Sequence, residues 1–141
     1  MKRITLFLLM VLVVGVYAYT QPVIRIVDPW VRAVPPNMKN SALFMTIVND
    51  GDEDDELIGV ETDIARMAQI HKTVNENGVM KMVHVDKIEI HGHTKVELKP
   101  GGYHIMLMGL KRPLKEGGML KFTLIFKNSG RIQIEAPVKR K

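Results

Sequence analysis

The sequence predicts an all-β sandwich or barrel. Short runs of β-branched, aromatic and Met residues recur along the chain, and clusters of Gly, Pro, Asn and Asp separate them at close intervals. No stretch beyond the amino-terminal apolar run holds a helical period for three turns. With 141 residues, 46% of them hydrophobic and 25% charged, the chain has the size and composition of one folded domain.

The first residues read as a secretory signal. Lys2 and Arg3 precede an apolar run from Ile4 to Val16, and Val16-Tyr17-Ala18 offers a cut near Ala18. The run is shorter than the ~18–20 residues that span a bilayer. Residues 1–18 are therefore assigned to a signal peptide and 19–141 to a single domain, exported to a periplasmic or extracytoplasmic location. A retained anchor is the alternative. No cysteine follows the run, so lipid attachment at a lipoprotein cysteine is excluded.

Val23 to Val27 then alternates as a strand, and Asp28-Pro29-Trp30-Val31-Arg32 follows, with the single Trp read as a core anchor. After Pro35-Pro36, Ser41 to Asn49 reads as a buried strand. The acidic run from Asp50 to Glu56 lacks calcium-loop spacing and reads as a solvated turn. Leu57 to Val60 resumes a strand, Asp63 to Arg66 suggests one helical turn, and Met67 to Val74, with His71 inside it, leads on to the next hairpin signal. Asn75-Glu76-Asn77-Gly78 is a hairpin signal, because Asn and Gly accept positive φ. Strands follow at Val79 to Val85, Lys87 to Ile90 and Thr94 to Leu98. Pro100-Gly101-Gly102 turns the chain into Tyr103 to Leu110. The last hairpin joins Leu120–Phe126 to Arg131–Glu135 through Asn128-Ser129-Gly130.

Removing Lys2 and Arg3 lowers the formal charge from +5 to +3, without a basic block bearing aromatics, so no nucleic-acid partner is expected. The absence of cysteine removes thiol nucleophiles, cysteine-bound zinc, iron–sulfur clusters and blue-copper centres. No Ser-His-Asp order or paired-carboxylate motif stands out, and the chain is read as a non-enzyme.

What stands out is the stretch from His71 to Met108, which holds all five histidines and four of the ten methionines. Strand alternation puts Met80, Met82 and His84 on one face, with Val79, Lys81, Val83 and Val85 on the other. The Val side is the expected core face, Lys81 being its misfit. Likewise His104, Met106 and Met108 lie opposite Ile105 and Leu107. Methionine is ordinarily a core filler, but here it twice shares a face with His. Thioether and imidazole donors together suit Cu(I), whereas zinc rarely takes methionine.

His71 is followed after ten residues by Met82, and Met82 after twenty-one by His104-Ile105-Met106. This spacing resembles that of the periplasmic copper chaperones of the PCuAC family, as do DPWVR, FMTIVN and LKPGGYHIMLMGLKRPLKEG, together covering essentially the whole mature chain. The resemblance implies a cupredoxin-like Greek-key β-sandwich. It further implies a surface Cu(I) site of His71, Met82, His104 and Met106, a monomer, and delivery to an acceptor such as the copper centre of a cytochrome oxidase subunit. Other copper chaperones are further implied partners. Two departures stand against the pattern: Lys72 follows the first His and is expected to oppose a cation mildly, and the Pro137–Lys141 end carries no His/Met-rich tail. Met80 and Met108 are read as alternative donors or an apolar apron rather than primary ligands, His84 lies outside the pattern, and His91 and His93 are read as turn decoration, with a weak second site for Cu(II) or zinc as the alternative. A copper scavenger and a metal-free interaction module are the rival readings.

Overall fold

The computed structural model describes residues 21–141, so the expected signal lies outside the described residues. Ten strands follow: β1 (Ile24–Arg32), β2 (Asn40–Asn49), β3 (Asp55–Glu61), β4 (Ala65–Glu76), β5 (Val79–His84), β6 (Ile88–Ile90), β7 (Thr94–Leu98), β8 (Tyr103–Leu110), β9 (Met119–Phe126) and β10 (Gly130–Lys139). The all-β expectation holds. Asp63 and Ile64 form a bend and Ala65 already opens β4, so the expected helical turn is absent. Ile64, at the bend, is buried in the core.

The strands run in the order β5-β4-β8-β7-β2-β1-β10-β9-β3-β6. A short parallel pairing of Val31 with Val138 and Arg32 with Lys139 joins the two halves. The halves face each other over one core. Leu43, Ile47, Ile105 and Leu107 come from one side, and Leu57, Phe122, Leu124 and Phe126 from the other, all buried. Each such side chain contributes roughly 1.5–3 kcal/mol on burial.

Three details of register position the outer face of the β4–β8–β2 sheet. The first is a bulge in β1: pairing shifts between Val27 and Trp30, and Asp28 takes φ 48°. Ile26 opposes core residue Ile47, but past the bulge Trp30 opposes Phe44. A bulge reverses the alternation, so Trp30 leaves the core face. It is buried in a separate small cluster with Ala42 and Phe44. Trp30 is therefore buried as expected, but in this second cluster rather than in the main one.

The second detail is a detour between β7 and β8. Both run antiparallel to β2, β7 through Met45↔Leu98 and β8 through Leu43↔Ile105. The extra residues between them turn back on themselves, Gly102 N donating to Lys99 O and Lys99 N to Tyr103 O, with Gly101 at φ 84°. His104 lies at the exit.

Third, the β4–β5 hairpin projects past the core. Asn77 and Gly78 both take positive φ at its turn, as a two-residue hairpin requires. Every residue of β5 is exposed, so neither of its faces is the core face, contrary to expectation. Lys81 pairs with Glu76 at 2.8 Å in solvent.

The acidic run also departs from a simple solvated turn. Asp55 is buried and accepts hydrogen bonds from the Asn128 and Ser129 amides, closing the β9–β10 turn. Finally, β10 continues through Pro137 to Lys139. Pro137 is opposite Met119, and pairing with β1 begins only at Val138, so the missing N–H breaks no bond there.

Candidate metal centre

Register builds the site. His71 opposes His84 on β5 and His104 on β8. Directly opposed residues share a face, so three imidazoles form one row across three strands. The His71 ring centroid lies 5.9 Å from that of His84 and 5.8 Å from that of His104. Met82 opposes Thr73 and Met106 opposes Gln69, placing one thioether on each side of the row. Arg32, Phe44, Thr73, Met82, His104 and Met106 line a common shallow pocket.

The hydrogen bonds of the two inner imidazoles fix their tautomers. His71 Nε2 lies 3.1 Å from Gln69 Oε1, and His104 Nδ1 lies 3.2 Å from the Gly102 carbonyl oxygen. Each acceptor calls for the N–H on the nitrogen facing it, which leaves lone pairs on His71 Nδ1 and His104 Nε2. Both of those nitrogens are buried without a hydrogen-bond partner among the described residues. Buried polar atoms are seldom left so. Here the two orphans belong to neighbouring rings with thioethers on either side.

Burial, then the nearby His104 and His84 rings, hold the His71 pKa below its ordinary value, which favours the neutral ring. Among the described residues no three His, Asp or Glu side chains are placed to hold one metal ion. The thioethers of Met82 and Met106 lie on the same face as the two imidazoles, and thioether with imidazole is a donor set that suits Cu(I).

The surroundings support the inner half. Phe44 lies 6.3 Å from His104, centroid to centroid, and Trp30 packs on Phe44 at 4.7 Å. The guanidinium of Arg32 sits 5.2 Å over the Phe44 ring. Gly102 oxygen also accepts the Thr73 amide at 3.1 Å, tying the detour to β4. Gln69, Gly102, Phe44 and Trp30 were not singled out as site residues in the sequence. Gln69 and Gly102 each precede a candidate His by two residues, a spacing that puts strand neighbours on one face, but cross-strand register is needed to see what they touch.

The other expected residues separate cleanly. Lys72 lies on the opposite face of β4 from His71, with its Nζ 5.1 Å over the Tyr103 ring, so strand alternation turns the ammonium away from the face that carries the histidines. Met80 is exposed farther out on β5 and Met108 half-buried on β8. His91 and His93 sit beyond the far end of β2, against the acidic run. There His91 pairs with Asp54 at 3.2 Å and His93 with Asp52. The intervening Gly92 is required, since a Cβ would stand 2.4 Å from the Asp52 carbonyl oxygen. A more open cleft by Glu61, Asp63, Lys121 and Glu135 contains no His or Met.

Register thus puts His71, Met82, His104 and Met106 on one outer face of a β-sandwich. The chain belongs to the family described as "Putative lipoprotein LpqE-like", whose pattern matches residues 24–138. Although that description names a lipoprotein, this chain has no cysteine to carry a lipid. It is 36% identical to "Uncharacterized protein RP573" of Rickettsia prowazekii (strain Madrid E) over 107 residues, which is 73% of this chain and 59% of that protein's length. Among solved structures, the fold is similar to a copper-bound PCuAC domain from PmoF2, at 30% identity and TM-score 0.72, covering 89% of this chain and 97% of that one. It is likewise similar to Cu(I)-DR1885 from Deinococcus radiodurans, at 34% identity and TM-score 0.61, covering 91% and 84%.

Proposed function

We propose that this protein is an exported copper chaperone that holds Cu(I) with His71, Met82, His104 and Met106 and delivers it by ligand exchange. The observation that carries the reading is the pair of orphaned nitrogens, His71 Nδ1 and His104 Nε2, each aimed by an acceptor on the opposite side of its ring. Such acceptors orient imidazole ligands and raise their basicity. The two thioethers complete an uncharged donor set for a soft cation.

Delivery follows from the unequal exposure of these donors. Met82 is 58% exposed and His104 3%. An acceptor's donor approaches from the hairpin side, the neutral Met82 thioether leaves first, and the buried imidazole is released last. An acceptor such as the copper centre of a respiratory oxidase, with its own stronger donors, draws the ion forward. The bare Met and Val side chains of β5 suit a transient contact with that acceptor.

The test is anaerobic Cu(I) competition against a coloured chelator, with X-ray absorption counting sulfur and nitrogen neighbours. Two of each are expected in the unsubstituted protein. Met82→Leu, nearly volume-conserving at an exposed position, should change stability by less than roughly 0.5 kcal/mol while lowering Cu(I) affinity about tenfold or more. Equal affinities for the two proteins would remove Met82 from the ligand set.

A further inference from the structure

We infer that His84 is a third imidazole donor through which the same site also takes Cu(II). The inference deepens the Cu(I) reading above and rests on its two inner imidazoles.

His71 stands midway between two rings, 5.9 Å from His84 and 5.8 Å from His104. Two imidazoles bound to one ion through nitrogens about 2 Å from it hold their centroids roughly 5–6 Å apart. Both neighbours of His71 therefore lie at ligand-sharing distance. The equality comes from register, since His71 opposes both residues in adjacent antiparallel pairings.

The three rings as they stand do not converge, so His84 joins by turning its side chain. Nothing holds it back. It is exposed at the end of β5, and among the described residues its ring makes no hydrogen bond or ion pair, its aromatic neighbour being the His71 ring. His91 and His93 differ in this respect, being held by Asp54 and Asp52 far from the site. A solvent-facing imidazole with no partner but a candidate ligand adds little to folding. As a donor it changes the metal the site prefers. Thioethers favour Cu(I), whereas Cu(II) prefers nitrogen in a tetragonal arrangement. Turned inward, His84 replaces thioether sulfur with nitrogen on the exposed side, while His71 and His104 stay in place.

The experiment loads the protein with one equivalent of Cu(II) and records its electron paramagnetic resonance, with competition for affinity, in unsubstituted, His84→Ala and His91→Ala/His93→Ala forms. Three coupled nitrogens are expected in the unsubstituted protein and two in His84→Ala, with Cu(II) affinity lower by about tenfold or more. Cu(I) affinity should move by less than about twofold in the same variant. Identical Cu(II) spectra and affinities with and without His84 would overturn the inference, as would loss of a nitrogen in His91→Ala/His93→Ala instead. Absence of Cu(I) binding in the unsubstituted protein would sink the delivery reading, while the Cu(II) comparison would still decide the role of His84.

Discussion

The two halves of the candidate site are built from different material. On β8, alternate residues are driven into the core: Ile105 and Leu107 are fully buried, and His104 between them and the detour is almost as enclosed. Across from it, the β4–β5 hairpin leaves the sandwich. Ile70 is the last deeply buried residue of β4, and from Val79 to His84 every side chain meets solvent. His71 is the hinge between these halves, half-buried and hydrogen-bonded through Gln69. Packing fixes the imidazole side in advance, whereas the thioether of Met82 rides on a ribbon held mainly by its own ladder. Two-stranded ribbons without a core face open at low free energy. On the proposed reading, tight holding and easy release fall to different strands.

Substitutions that exchange the behaviour of the halves test this contrast. The largest effect is expected for His104→Ala. It removes a buried donor and leaves a void beside Phe44, so Cu(I) affinity should fall by about a hundredfold or more and apo stability by roughly 1–3 kcal/mol. Titration and denaturant unfolding read the two effects separately. By contrast, the exposed Met82→Leu should affect binding alone. A His104→Ala protein with full apo stability would mean that the inner half is not the rigid one.

An intermediate effect concerns protons. The His71 pKa is lowered in the folded chain, chiefly by burial, so between that lowered value and about 6.5 the unfolded chain binds the proton more readily. The contribution of His71 to apo stability is therefore complete above about pH 6.5 and is lost as pH falls through the folded value. Denaturant midpoints measured across pH 5 to 8 should show this slope, and His71→Gln should flatten it. An unchanged slope in His71→Gln would place the titration elsewhere.

Much of this was legible in the chain. Turn residues bounded nearly every strand, and the His71, Met82, His104 and Met106 spacing selected residues that register brings to one face. What escaped was whatever depends on pairing. Trp30 reads as core by composition, and only the β1 bulge turns it toward Phe44. Alternation in Val79–Val85 resembles a buried strand, but a two-faced pattern does not say whether a second layer covers it. Lys81 was the warning that none does. Asp55 hides in a run of seven residues of which six are acidic; its burial comes from the distant Asn128-Ser129 turn. His84 lay outside the spacing pattern, and its alignment with His71 and His104 is a property of two ladders at once.

The smallest expected effect sharpens the same point. Read along the chain, a lysine next to His71 should repel a bound cation. On the folded strand that ammonium stands on the other face, over Tyr103, and salt screens what remains across the ribbon. Lys72→Met should therefore change Cu(I) affinity by less than about twofold at physiological ionic strength. A rise of about tenfold would show instead that the hairpin twists enough to bring both faces of β4 toward the ion. The contrast between a fixed β8 and a looser ribbon would then need the ribbon's motion in its description of the bound state as well as of release.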